Sequence, residues 1–412
     1  MNWITWTILA FLAVEFGLRL ISNQLNLAAL TDRIPPAFRD FYDEEKYRQS
    51  QAYLKTNTRF GRIVSTFDLA TLLIFWFTGG FALVDDWVRT FGLGDIFTGI
   101  AYIGVIIVLK VLIDQPFSLY NTFVIEQKFG FNQTTAAVWI KDRIKGCGLA
   151  LLLGTPLLAG LLAFFHHAGS AAWLWCWLLV TLFSICIQFI APTWIMPLFN
   201  RFEPLEAGEL KTGILAYAKS IGFSLDNVFV MDGSRRSTKS NAFFTGFGRH
   251  RRIVLFDTLI QRHTTDELVA VLAHEMGHYQ LKHILKMMGM GIVQTGLVFY
   301  LMSLVITTPA LFEAFYVDRP SIHAGLIFFG LLFTPVDFFL GLILQAVSRY
   351  HEFAADRFAA NTTGKPEALI AALKKLSVDN LSNLQPHGLY VFLNYSHPPV
   401  LQRIRALGEG GQ

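Results

Sequence analysis

The stretch VLAHEMGHYQLKH, residues 271–283, sets three histidines and a glutamate into thirteen residues of a strongly apolar chain. It reads either as a set of ligands for a metal ion or as polar residues ahead of a membrane span. Thr264 and Glu267 just before it make the pattern T-x-x-E of a capping box, which predicts that a helix opens there and runs through the stretch. At about 100° per residue, His274 and His278 sit roughly 40° apart on that helix, so both imidazoles reach one ion. Glu275 flanks them, placed to take the proton of a water that such an ion activates. This is H-E-x-x-H. Zinc suits it, because zinc binds neutral imidazole, lowers the pKa of its water and polarises a carbonyl, while the glutamate passes the proton to the leaving amine. The same rotation count turns His283 away: nine residues on from His274 is about 900°, the opposite side, so a surface position or one behind the site is expected. The form with a third histidine, H-E-x-x-H-x-x-G-x-x-H, is absent, since Leu281 and Ile284 hold the glycine and histidine places.

Outward from this stretch the chain is a membrane protein. Of its 412 residues 53% are hydrophobic and only 16% charged, a balance that excludes an ordinary soluble enzyme. Apolar runs near the span length of a bilayer recur at Trp3–Ile21, Ile63–Val84, Ile96–Ile113, Gly146–Phe165, Trp173–Ile195, Met287–Thr307 and Ala324–Val347, seven in all. The first is expected to be retained as a helix, because Glu15 and Arg19 interrupt it and no small-residue cleavage site follows. Lys and Arg collect on the cytoplasmic side of short loops. Asn23–Arg62 carries seven and Asp114–Lys145 four, against one in Asp85–Asp95, none in His166–Ala171 and one in Pro309–His323. The N-terminus is therefore expected outside, and the C-terminus and Pro197–Lys286 in the cytoplasm. The net charge of +4 follows from this topology and offers no concentrated basic face to nucleic acid; GRHRR at 248–252 reads as a solvated strand end or a lipid-facing patch. Cys147, Cys176 and Cys186 all fall in apolar spans and read as core packing, which excludes a disulfide scaffold.

The chain divides accordingly into five spans with cytoplasmic loops (1–196), a cytoplasmic metalloprotease insert (197–286), two further spans (287–347) and a cytoplasmic C-terminal part (348–412). The insert reads as mixed α/β. Leu210–Ile221 has helical periodicity closed by Gly222, and Val228–Met231, Asn241–Phe247 and Ile253–Phe256 are strand-like. The tail GEGGQ reads as frayed coil.

Two histidines leave a further ligand to be found. Glu313 and Asp318 fall in the outer loop, Asp337 lies deep in the seventh span, and Glu367 and Glu409 sit in ordinary soluble sequence. Glu352 remains. From His278 to Thr307 is 29 residues, and from His323 to Glu352 is also 29, so an antiparallel helical pair returns Glu352 to the level of the histidines. Asp356, one turn further in HEFAAD, can orient a ligand histidine or pair with a nearby cation. H-E-x-x-H alone is often no more than an amphipathic helix, and E-x-x-x-D a solvated face. Together at one depth they predict a site for one zinc ion.

With HEMGH, HEFAAD and the near-terminal YSHPPVLQRI in view, the chain resembles the type-1 CAAX prenyl endopeptidases, integral-membrane zinc metalloproteases of the gluzincin kind. SQAYLKTNTRFG, FVIEQKFGFNQTT, PLFNRFEPL and SNAFFTGF extend the likeness from Tyr47 to Leu407. The resemblance implies seven tilted helices enclosing a water-filled intramembrane chamber, with the active site facing it near the cytoplasmic side. It implies zinc on His274, His278 and Glu352, Glu275 as general base, and Asp356 behind a ligand. It further implies that His397 of HPP stabilises the tetrahedral intermediate with Arg403 near it as a substrate contact, and that Asn241 and Ala242 belong to an edge strand that holds an extended peptide by backbone pairing. The substrates implied are prenylated CAAX proteins trimmed at the C-terminus; turnover of misfolded membrane proteins would suit the same chamber.

The residues agree with a chamber on their own account. Glu15, Arg19, Asp68, Lys110, Gln188 and Asp337 interrupt apolar spans, where a charge is costly unless it faces a partner or water. Glu15 with Arg19, and Lys110 near a span end, have a simpler reading in pairing and snorkelling; Asp68 and Asp337 do not. Two other functions compete. A site-2-type intramembrane protease carries H-E-x-x-H within a span and an Asp-Gly after it, whereas Asp232 and Gly233 precede His274 and Thr264–Lys286 is too polar to span. A seven-helix receptor or transporter would have no use for the insert. Short loops and the lack of a di-lysine retrieval signal point to a bacterial homologue in the inner membrane over the endoplasmic reticulum.

Overall fold

The computed structural model describes residues 1–225, 227–245 and 252–409. Among the described residues, seven helices are long and apolar enough to cross a membrane: Trp3–Ala28, Glu44–Phe77, Asp95–Glu126, Ala136–His167, Gly169–Phe199, His283–Val305 and Ile322–Thr363. Most of them overrun the apolar runs, because hydropathy marks only the part that lies in hydrocarbon; the second and sixth end short of theirs, at Phe77 and Val305. About 20 residues cross a bilayer, so the 42 residues of the seventh helix continue beyond it as one rod. Its last turns, from Arg349 on, are polar and carry HEFAAD.

Ile63–Val84 is not one span. The second helix stops at Phe77 and another, Gly80–Arg89, begins. Gly79 stands between them at φ +75°, and a Cβ on Gly80 would lie 2.5 Å from the Phe75 ring, so this turn requires the Gly-Gly pair. The apolar run reads through the break because Phe81, Val84 and Val88 are buried in protein, against Trp76, Phe315 and Phe328 at that end of the spans.

Only 6–17% of the residues in the apolar windows are buried within the protein, so the spans form walls and not a close-packed bundle. The charges within the spans lie on those walls. Arg19 pairs with Glu15 at 2.7 Å, and Lys110 with Asp68 at 3.0 Å and Asp114 at 2.5 Å. Glu15, Arg19, Asp68 and Lys110 line a cavity of about 550 Å³ between the first, second, third and seventh spans. Asp68, which had no simple reading, thus has a lysine partner from the neighbouring span, and Asp337 accepts from Gln294 at 3.4 Å. Core packing holds for Cys176 alone, since Cys147 and Cys186 are exposed; an apolar helix face turned away from protein needs no packing partner.

Past the fifth span lies a sheet of β1 (Phe202–Pro204), β2 (Asn227–Met231), β3 (Ala242–Thr245) and β4 (Arg252–Phe256) in the order β1-β2-β4-β3, with β2 and β4 parallel and the other pairs antiparallel. The expected strand Asn241–Phe247 is shorter: Asn241 precedes β3, and residues 246 and 247 lie outside the described residues. So do 248–251 of GRHRR; Arg252 opens β4 with its guanidinium 5.0 Å from the Phe229 ring centre. The chain is helical through Glu409, and 410–412 of the tail lie outside the described residues. Helices Glu209–Ser220, Thr265–Gln280 and Pro366–Asp379 pack on the sheet around Ile214, Leu255, Leu272, Met276 and Leu369.

Three junctions tie this domain to the spans. Lys239 Nζ donates to Glu126 at 2.8 Å and to Tyr53 at 2.9 Å. Arg236 holds Asp142 through two bonds of 2.9 and 3.0 Å. Phe38, Tyr42 and Tyr47, from the segment between the first two spans and the start of the second helix, pack on Val378 and Leu384. Residues 236 and 239 lead directly into β3, so the sheet edge is set against the membrane part.

Candidate active site

The motif helix opens at the capping box: Thr264 Oγ1 accepts from the Glu267 N–H at 3.4 Å, and Glu267 returns its carboxylate to the Thr264 N–H at 3.0 Å. Leu268, Leu272 and Met276 fill the core beneath, which turns His274 and His278 toward the extension of the seventh span. The two helices approach closely at Gly277, where a Cβ would lie 3.0 Å from the Phe358 ring and 3.4 Å from Ala355 Cα. A side chain there would push Glu352 away from the histidines.

His274 Nε2 lies 3.1 Å from His278 Nε2 and 3.5 Å from Glu352 Oε2, and His278 Nε2 lies 3.2 Å from Glu352 Oε1. A tetrahedral zinc with nitrogen and oxygen ligands at about 2.0–2.2 Å separates its ligand atoms by roughly 3.3–3.6 Å. The 3.5 Å edge falls in that range and the edges of 3.1 and 3.2 Å lie just below it, so a small outward shift of the donor atoms admits the ion. Glu352 Oε2 is buried and makes no hydrogen bond, with Arg403 Nη1 and His274 Nε2 only at 3.4 and 3.5 Å, so it keeps acceptor capacity that a cation satisfies. Burial alone lowers the His274 imidazole, but the carboxylates of Asp356 and Glu352 outweigh it and push it up to about 9. The cluster asks for positive charge, which a divalent ion supplies in place of a proton. Two imidazoles and a carboxylate are a zinc donor set, and the residues present fit that ion.

Behind His274, Asp356 Oδ1 lies 2.9 Å from Nδ1, which holds the proton there and leaves the Nε2 lone pair facing the cluster. Arg403 donates to Asp356 from Nε at 2.7 Å and Nη2 at 2.6 Å, and its Nη1 lies 3.4 Å from Glu352. Asp356 thus lies between His274 and Arg403. Arg403 is 11% exposed, its guanidinium turned onto these carboxylates in place of an open substrate face. His397 is the reverse: 64% exposed, with Nε2 3.4 Å from Glu352 Oε1. Burial pushes the Glu275 carboxyl up, against the pull of the His274 and His278 imidazoles, and β3 packs alongside the motif helix.

The Phe256 N–H donates to the Asn241 carbonyl, so by the alternation of an antiparallel ladder Ala242 and Phe244 turn their main-chain groups to the outer edge of β3. Of the expected pair, only Ala242 faces outward; the Asn241 side chain instead accepts from the Ala242 N–H at 2.9 Å. Asp232 accepts from the Arg201 N–H at 2.7 Å, a structural bond in the sheet.

His283 is not on the opposite side. The motif helix ends at Gln280, Lys282 adopts φ +59°, and His283 starts the sixth span with its Nδ1 3.1 Å from His278 Nδ1. The rotation count assumed an unbroken helix. His283 is 4% exposed, so of its two expected places it takes the one behind the site.

Known proteins share both halves. The sequence profile of "CAAX prenyl protease N-terminal, five membrane helices" matches residues 23–201, and that of "Peptidase family M48" matches residues 204–410. CAAX prenyl protease 1 of Saccharomyces cerevisiae is 35% identical, over 91% of this chain and 88% of its own. The Arabidopsis thaliana homolog is 35% identical over 97% and 96%, and the human homolog 32% identical over 94% and 91%. The crystal structure of S. mikatae Ste24p superposes with a TM-score of 0.89 at 34% identity, covering 98% of this chain and 97% of that one.

Proposed function

The chain belongs to the CAAX prenyl protease 1 family of M48 peptidases, and from that premise we propose that it is a membrane-embedded zinc endopeptidase that trims the C-terminus of prenylated CAAX proteins. The observation that carries the reading is the convergence of donor atoms from His274, His278 and Glu352 within 4.8 Å of one another. These three residues would hold one zinc ion, which when bound supplies Lewis acidity, lowering the pKa of a water and polarising a carbonyl.

The chain does the rest. Phe244, and Ala242 through its carbonyl since its N–H is held by Asn241, pair with an extended peptide along the outer edge of β3 and lay its scissile bond beside Glu275. Glu275, whose carboxyl is biased by burial toward holding a proton, takes one from the attacking water and hands it to the leaving amine. His397 donates from Nε2 to the scissile carbonyl oxygen as that oxygen gains charge. Asp356 fixes His274, and Arg403 holds Asp356 and Glu352 in place. His397→Ala is expected to lower kcat by about 10²–10³-fold with zinc content unchanged, in a steady-state assay on a farnesylated CAAX peptide. An unaltered kcat would remove His397 from the step.

A recess of about 290 Å³ opens beside His278, with Ile284, Met287 and Met288 in its wall, which supports an apolar group next to the cleaved bond. Turnover of misfolded membrane proteins has no feature of its own in support. The bias of basic residues supports a protease domain in the cytoplasm and an N-terminus on the far side. The bacterial homologue expected from short loops is withdrawn. The similar proteins named above are from yeast, Arabidopsis and human. The Arabidopsis match covers 97% of this chain and 96% of its own, so short loops belong to the fold and not to a bacterial host. The membrane is read as a eukaryotic one. The test is elemental analysis with chelation: one zinc per purified chain, cleavage of the farnesylated peptide lost when zinc is stripped and regained when it is returned. Protein without stoichiometric zinc, or one that cleaves after complete stripping, overturns the reading.

A further inference from the structure

We propose that His283 is a positioning residue of the metal centre, accepting the Nδ1–H of His278 and thereby fixing the tautomer and ring plane in which His278 offers Nε2 to the ion. The inference rests on the zinc site proposed above. A ligand imidazole needs a partner for the nitrogen it does not offer. His274 has Asp356 for that purpose, 2.9 Å from its Nδ1. His278 turns Nε2 toward His274 and Glu352, and its Nδ1 lies 3.1 Å from Nδ1 of His283. Nε2 can ligate only through its lone pair, so neutral His278 carries its proton on Nδ1. His283 must meet that proton with a lone pair and keep its own on Nε2.

Two features hold His283 to this task. Its ring stacks on His351, with centroids 4.0 Å apart and planes 9° from parallel. His351 directly precedes Glu352 on the same rigid helix, so the element that brings the carboxylate also supplies the plate that sets the His283 ring. The second is the backbone. Lys282, at φ +59°, occupies a region that L-residues rarely adopt, and such a conformation persists where its surroundings fix it. An unbroken helix would carry His283 to the far side, whereas the break delivers it to His278.

A purely packing role for His283 is separated by two variants of the full-length protein in detergent. His283→Phe keeps the stack on His351 and loses the acceptor; His283→Asn loses the stack and keeps an acceptor oxygen. Zinc affinity is read by competition with a chromophoric chelator, and the Tm of zinc-stripped protein reports the fold. His283→Phe is expected to weaken zinc by about 10- to 100-fold with the zinc-free Tm unchanged, and His283→Asn to recover most of that loss. A His283→Phe form that binds zinc as tightly as the parent, or a His283→Asn form as weak as His283→Phe, overturns the inference. A parent protein that takes up no zinc overturns the metal reading itself, and this inference with it.

Discussion

Replacing Glu275 by Gln is expected to lower kcat on a farnesylated CAAX peptide by about 10³–10⁴-fold while the protein keeps its zinc. The substitution is isosteric, and the amide keeps an acceptor oxygen in the same place. What the amide cannot do is take a proton from water. Fold and peptide binding should survive, because burial already disfavours a charge at Glu275 and a neutral amide suits the same surroundings. The check is single-turnover cleavage beside elemental zinc analysis on one preparation. A variant cleaving at a tenth of the parent rate or faster is incompatible with Glu275 as the base, and one that loses its zinc makes Glu275 part of the metal's support instead. The inactive zinc-loaded form should also retain bound substrate, which gives a direct route to identifying it.

The site was legible where its logic is local or can be counted along a helix. Thr264 and Glu267 announce the start of the motif helix, and H-E-x-x-H needs only the helical repeat. Of the equal 29-residue arms, the one from His323 to Glu352 lies within a single helix, and the one from His278 to Thr307 still keeps its level because the turn at Lys282 takes up only two residues between helices. The same counting fails at His283, since Lys282 turns left-handed without a glycine or asparagine to signal it. It fails again at Ile63–Val84, where burial of Phe81 and Val84 against Phe315 and Phe328 imitates a continued span. Arg403 was out of reach for another reason: its partners Asp356 and Glu352 lie on a different helix, and a lone arginine in sequence does not reveal whether it faces a substrate or an internal carboxylate. Which residues of β3 face outward likewise depends on the bond from Phe256 to Asn241, a fact about pairing that strand composition does not contain.

Glu352→Ala is expected to weaken zinc binding by more than about 100-fold, beyond the 10- to 100-fold that loss of a supporting partner costs. Two imidazoles would remain, but the local charge would change against them. Arg403 Nη1 lies 3.4 Å from Glu352 Oε2, so truncation leaves a guanidinium beside the position a cation must take. The charge that offset it is gone, and in a buried site that repulsion is poorly screened. Asp356→Asn is the informative comparison. It weakens the hold on His274 Nδ1 and on Arg403 yet leaves all three donor atoms in place, so its loss should stay within the 10- to 100-fold range. Chelator competition on both variants, with the Tm of the zinc-free forms as a control for folding, gives the order. If Asp356→Asn weakens zinc as much as Glu352→Ala while both fold, Glu352 acts through charge and not through a bond to the metal.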